Sequence, residues 1–197
     1  MRATGLLLLL ALLPGCAARG RSPVASVAVE RKTLPHDRIE ALVAEMNSDD
    51  PVRQAKAVWE LSESRQVTPE AMSTIDRLID SPVPAVEAAA VWAFSRFPRV
   101  DRTIRESWTS DTPPALLQQT RPEYPREAFD RKIQGVVRTT ILISAAGDVA
   151  HAEVDRSVPL LDEAALRCVR EWKFKPATRA GKPVPVVAVA PVAFRIF

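Results

Sequence analysis

The stretch VPVVAVAPVAFRIF, Val184–Phe197, contains the pattern that decides the fold. Apolar side chains occupy every even position, which predicts one strand with a continuous buried face; these are Val184, Val186, Ala188, Ala190, Val192, Phe194 and Ile196. The prolines Pro185 and Pro191 are odd-numbered, so both missing N–H groups can point away from the sheet. The stretch is therefore predicted to be an edge strand whose free backbone donors are at Val187, Val189, Ala193 and Arg195.

The preceding residues supply partners for this strand. Val136–Ser144 is rich in β-branched residues, and Val149–Ser157 follows after a turn in which Gly147 can take a positive φ, so the two predict a hairpin. In Leu161–Trp172 the apolar residues share one helical face: Leu161, Ala165, Cys168, Val169 and Trp172. We expect a two-layer α+β unit, an antiparallel three-stranded sheet of order 2-1-3 covered by one helix, with Cys168 as a buried small hydrophobe rather than a nucleophile.

Six spaced motifs of this region stand in the order of a known family. They are Pro122-Glu123-Tyr124-Pro125, Gly135-Val136-Val137, Gly147-Asp148-Val149, Leu161–Leu166, Trp172–Ala177 and Gly181–Val186. Residues 112–197 resemble the C-terminal domain of the TonB energy transducers. The resemblance implies a periplasmic domain whose last strand pairs with a short peptide of an outer-membrane transporter.

The resemblance also implies partner contacts through the segment before Tyr124-Pro125. Arg121 stands there in place of a glutamine of the best-studied transducer, which changes the contact chemistry. Two interpretations of Tyr124 and Pro125 stay open: direct contact with the partner, or a tyrosine packed on the sheet and a proline that ends a turn. The candidate partner-binding residues are Arg121, Tyr124, Pro125, Val187, Val189, Ala193 and Arg195.

The middle of the chain, residues 37–107, repeats itself. Residues 42–61 align with residues 75–94 at an offset of 33, and in each unit a proline separates two helical runs. The segment Asp50–Ala55 resembles the core of HEAT repeats. We expect a small all-α, HEAT-like block that leans on a neighbour, with small alanines between its helices and with Trp59 and Trp92 in its core.

The N-terminus has the pattern of an export signal. Arg2 precedes the apolar run Leu6–Leu13, which is too short to span a bilayer. The box Leu13-Pro14-Gly15-Cys16 resembles that of bacterial lipoproteins, which implies cleavage after residue 15 and a lipid on Cys16; ordinary secretion with an unmodified cysteine is the alternative. Residues 16–36 are then a tether, and Ala17-Ala18 favours the outer membrane over the inner membrane.

Composition argues against catalysis and against nucleic-acid binding. The common phosphate-binding, metalloprotease and serine-hydrolase motifs are missing, and two histidines with two cysteines are too few for most metal sites. The net charge of +3 comes from basic residues interspersed with acids. The polar cluster His151, Glu153 and Asp155 is better explained as a solvated sheet face than as a catalytic site. We therefore predict no enzyme, no cofactor and no metal.

Two functions follow from these observations. The first is a lipid-anchored, TonB-like adaptor that captures peptides of outer-membrane transporters or other envelope proteins through its edge strand, in TonB-dependent transport. Because Leu6–Leu13 cannot reach a motor across the inner membrane, we expect binding without obvious force transmission. The alternative is a structural envelope lipoprotein that uses the edge for self-association into a homodimer, or for docking on its own repeats.

Overall fold

A computed structural model of the chain describes residues 31–97 and 110–196. The first range contains four helices and the second contains an α+β unit, so the predicted α+β class is confirmed. The helices are α1 His36–Met46, α2 Pro51–Ser62, α3 Pro69–Leu78 and α4 Pro84–Arg96. The second range contains β1 Ala115–Gln118, α5 Arg126–Asp130, β2 Gly135–Ile143, β3 Val149–Arg156, α6 Asp162–Arg170, β4 Lys173–Lys175, β5 Ala177–Arg179, β6 Lys182–Val184 and β7 Val186–Phe194.

The helical block, defined here as α1–α4, follows the repeat of the sequence. α1 and α3 begin at His36 and Pro69, and α2 and α4 begin at Pro51 and Pro84, so both pairs keep the offset of 33. Proline suits the first position of α2, α3 and α4 because the N–H groups of the first helical turn have no partner within the helix, so the N–H that proline lacks is not needed there. Apolar side chains, four of them alanines, fill the space between the helices and are fully buried: Leu42, Met46, Ala57, Leu61, Ile75, Ala89, Ala90 and Ala93.

The last residues of the predicted tether contact this block. The Lys32 N–H donates to the Glu63 carbonyl oxygen at 3.1 Å, and Arg31 Nη1 donates to the Arg96 carbonyl oxygen at 2.7 Å. Residues 1–30, including Cys16 and Leu6–Leu13, lie outside the described residues. None of the helices in the described ranges combines the length and hydrophobicity that a membrane crossing requires.

The main sheet has the order β3-β2-β7, which is the predicted 2-1-3 arrangement. β2 pairs with β7 in an antiparallel register from Gly135–Phe194 to Ile143–Val186 without a shift, whereas its pairing with β3 has two shifts. The even-position side chains from Ala190 to Phe194 are buried under α6. Every residue of the predicted helix face is buried, including Cys168, which is 5% exposed.

The structure corrects the extent of the last strand. The sequence predicted one strand over 184–197, but the strand is divided at Pro185 into β6 and β7, and β7 ends at Phe194. Ala180 and Gly181, both at positive φ, turn the chain from β5 into β6. The pairing of β1 with β4 was not predicted, since β1 is too short to show a pattern.

The structure confirms the predicted two-layer unit and adds a third layer to it. The helical block covers part of the sheet face opposite α6. The indole rings of Trp59 and Trp92 lie with their centroids 4.9 Å and 4.6 Å from the His151 ring of β3. Arg96 Nη1 lies 2.7 Å from Glu153 Oε2. The neighbour on which the helical block leans is therefore the sheet of its own chain.

Candidate partner-binding edge

Two of the three polar residues predicted on a solvated face of β3, His151 and Glu153, contact the helical block instead. Arg96 of α4 pairs with Glu153, and His151 Nε2 lies 3.4 Å from Glu153 Oε1. Asp155 differs from the other two, because it is exposed and pairs with Arg138 of β2. The prediction of a solvated sheet face was wrong for His151 and Glu153, because the sequence does not indicate that the helical block docks there.

Ionisation of Glu153 is tied to this docking. Burial alone would raise the pKa of the Glu153 carboxyl, but the His151 hydrogen bond and the charges of Arg96 and Arg31 outweigh it and hold that pKa below the usual range. A lowered carboxyl pKa in the folded protein stabilises it above the unfolded-state pKa, and the stabilisation is lost as the pH falls through the folded-state pKa. The ion pair therefore stabilises the docked arrangement at neutral pH.

Glu153→Gln tests this ion pair. We expect the variant to lose about 1–3 kcal/mol of unfolding free energy at pH 7, since it removes a charge-assisted contact to Arg96. The difference from the native chain should shrink as the pH falls below about 4.5, the ordinary value of a glutamate. Urea unfolding at several pH values measures the loss of unfolding free energy and its dependence on pH.

The matched control is Glu127→Gln, which removes an exposed ion pair to Arg131. An exposed pair of this kind contributes about 0–1 kcal/mol, so the control should change little. A Glu153→Gln variant as stable as the control at pH 7 would contradict a stabilising role for the half-buried pair of Arg96 and Glu153.

The free edge of the sheet is β7. Because Pro191 has no N–H, its pair with Arg138 cannot be a hydrogen-bonded one, so odd-numbered residues of β7 direct their backbone groups away from β2. In the described part of the chain no strand pairs with this side. Val189 is 60% exposed, and Pro191 and Ala193 are also exposed. The prediction that the last strand lies at an edge of the sheet is therefore confirmed.

The seven candidate residues do not form one compact cluster. Val187 is half-buried beside α4, and Ala193 lies six residues further along β7, about 20 Å away in an extended strand. Arg195 lies beyond the end of β7. Arg121 is exposed in the segment between β1 and α5.

Tyr124 and Pro125 have clear structural contacts. The Tyr124 hydroxyl donates to the Ile133 carbonyl oxygen, and its ring meets those of Phe194 and Phe129 edge-on, with centroids 5.5 Å and 5.8 Å away. Pro125 is the N-cap residue of α5. These contacts support the packing interpretation, while both residues keep part of their surface exposed.

Sequence reasoning missed one feature of this edge. A cavity of about 350 Å³ lies between α4 and the start of β7, lined by Glu87, Val91 and Ser95 on one side and by Val184–Ala188 on the other. The apolar 184–188 stretch indicates a strand but gives no information on what lies beside it. In the described ranges no group of three or more His, Cys, Asp or Glu side chains could hold a metal ion.

Comparison with known proteins finds similar sequences for the part of the chain that contains the sheet. The family model described as Gram-negative bacterial TonB protein C-terminal matches residues 120–196. Among curated proteins, the chain is 33% identical over 88 residues to Protein TonB of Vibrio cholerae, which covers 44% of this chain and 36% of that protein. It is 32% identical over 82 residues to Protein tonB2 of Pseudomonas aeruginosa, which covers 41% of this chain and 30% of that protein.

A solved structure is also similar. It is the solution NMR structure of the Pseudomonas aeruginosa TonB CTD, with 31% identity, coverage of 44% of this chain and 89% of that one, and a TM-score of 0.38. The matches span about a third of the length of the curated relatives, and the family match begins after the helical block. Residues 120–196 are thus similar to the C-terminal domain of TonB proteins.

Proposed function

We propose that this chain is a periplasmic, lipid-anchored adaptor that captures an extended peptide of an outer-membrane transporter or another envelope protein by pairing it with the free edge of β7. The observation that carries the proposal is the unpartnered edge of β7, with Val189 exposed, in a region similar to the C-terminal domain of TonB proteins. Main-chain hydrogen bonds to an edge strand supply affinity, and neighbouring side chains supply specificity. The role is binding and not catalysis.

The proposed contact surface extends along β7 and beyond its end. Val187 and Val189 form its first half, and Ala193 and Arg195 form its second half. Arg121, Tyr124 and Pro125 add a second contact, in which the exposed Arg121 guanidinium favours an acidic or carbonyl-rich partner segment. Tyr124 and Pro125 contribute there mainly by holding the segment in place.

The proposed organisation of the chain follows the sequence. Residues 1–15 are a lipoprotein signal peptide, Cys16 carries the lipid, and residues 16–36 form the tether. Residues 37–107 are the HEAT-like helical repeats, and residues 112–197 are the TonB C-terminal domain. An acylated Cys16 with two or more chains would hold the protein stably on a membrane, with the outer membrane favoured.

A second candidate is a scaffolding lipoprotein that associates with its own copies. The exposed apolar side chains of Val136 and Val189, 48% and 60% exposed, favour it because a second copy of the edge could cover them. Both candidates use the same edge, so the experiment must identify the occupant.

Photocrosslinking from position 189 identifies the molecule that occupies the edge of β7. We expect a photoreactive residue in place of Val189, in intact envelopes, to capture the periplasmic peptide of an outer-membrane transporter. A photoreactive residue at Val52, an apolar position on α2 that is 77% exposed, is the matched control. Crosslinks between copies from position 189 would support the scaffold instead. A product pattern identical to that of position 52 would contradict any specific use of the edge.

A further inference from the structure

The cavity at the start of β7 has one wall that does not belong to the TonB-type domain. Val91 and Ser95 lie on α4, in the helical block, and both are half-buried. Across from them are Val186, Val187 and Ala188, at the end of β7 where the free edge begins. A peptide paired with the first half of β7 would therefore also meet α4.

One acidic side chain lies in this mostly apolar setting. Glu87, in the first turn of α4, lines the cavity, and burial raises the pKa of its carboxyl despite the opposing charge of Arg179. Arg179 lines the same cavity and is held by Asp80, with Nη2 at 2.6 Å from Oδ1, so the two carboxylates and one guanidinium leave a net negative charge there. Within the described residues no hydrogen bond reaches the Glu87 carboxylate, so its oxygens can still accept one from a bound peptide.

We propose that α4 is the second wall of the peptide site, and that the preferred occupant is an extended segment with an apolar residue and a Lys or Arg two positions away. This inference rests on the proposed function, since it takes β7 as the pairing strand. Side chains two residues apart in a strand lie on one face about 6.8 Å apart. The apolar one enters the cavity beside Val91 and Val187, and the cation meets Glu87.

Charge complementarity selects this occupant over others. The carboxylate is half-buried in apolar surroundings, where a Lys or Arg gains more than it would in water. A segment that placed an acidic residue there would bring a third carboxylate next to those of Glu87 and Asp80, which disfavours it. The helical block would then provide the specificity for the peptide sequence, and the main-chain groups of β7 would provide the affinity for an extended peptide.

Selection from a random octapeptide library displayed on phage, against the full chain, tests the preference. With the native chain we expect peptides in which Lys or Arg recurs two positions from an apolar residue. With Glu87→Gln we expect the apolar preference to remain and the basic one to disappear. A synthetic copy of a selected peptide should bind Glu87→Gln about tenfold more weakly than the native chain, the loss typical of one charge-assisted hydrogen bond.

Glu70→Gln is the matched control, because Glu70 occupies the first turn of α3 and is exposed. It should select the same peptides as the native chain. Selection without any basic preference, or one that Glu87→Gln leaves unchanged, would overturn the role of α4 while peptide capture by β7 stands. If no peptide is selected and position 189 yields no transporter crosslink, the proposed function fails, and this inference fails with it.

Discussion

Val192→Asp is expected to unfold the C-terminal domain. The Val192 side chain is 2% exposed and lies under α6 in the core that contains Val137 and Phe194. A carboxylate there has no partner for its charge, and burying it costs more than about 4 kcal/mol, a large part of the stability of a domain of this size. Circular dichroism and urea unfolding of the full chain measure the loss.

The contrasting variant is Val189→Asp, three residues earlier on the same strand. Val189 is 60% exposed on the opposite face, so the new carboxylate stays in water and the unfolding midpoint should move little. Peptide capture should nevertheless weaken, because the charge stands beside the edge that the peptide would use. Equal destabilisation by the two variants would contradict the assignment of the two faces of β7.

Gly147→Ala should be the most damaging glycine substitution in the sheet region. Gly147 has a φ of +89°, and a Cβ added there would overlap the carbonyl oxygen of Phe174. The backbone of Gly147 is also held on both sides: its N–H donates to the Ser144 carbonyl oxygen at 2.9 Å, and its carbonyl oxygen accepts from the Phe174 N–H at 2.8 Å. We expect a loss of at least about 3 kcal/mol, measured by urea unfolding.

Gly181→Ala separates the two causes of this loss, which are the strain of a side chain at positive φ and the overlap of the new Cβ with neighbouring atoms. Gly181 has a similar φ of +77°, but nothing lies within 4 Å of a Cβ built there. It should therefore cost only the conformational part, about 1–2 kcal/mol. A similar cost at both positions would mean that the contact with Phe174 relaxes without penalty.

The elements that the sequence predicted well are those with a local, periodic signal. The alternation along β7 identified its buried face because side chains of a strand alternate with a period of two. The offset of 33 located both helix pairs, since each unit repeats the same proline and the same apolar spacing. The turn at Gly147 was predicted because few other residues take a positive φ without strain.

The features that the sequence did not predict depend on contacts between distant residues. Trp92 and His151 are far apart in the chain, and the sequence around neither residue indicates that the two rings meet edge-on. The same holds for Arg96 and Glu153, whose pairing changes a surface carboxylate into an interface residue. The cavity beside β7 exists only because the helical block docks on the sheet, so its lining could not be predicted.

The uninterrupted register of β2 and β7 has a mechanical consequence. Hydrogen bonds in an antiparallel ladder lie perpendicular to the strands. A pull along a peptide held on β7 would therefore shear many bonds at once instead of opening them one by one. The load would pass into β2 through pairs that run from Gly135–Phe194 to Ile143–Val186 without a bulge to concentrate it. The pairing of β2 with β3 lacks this continuity, because its register shifts twice.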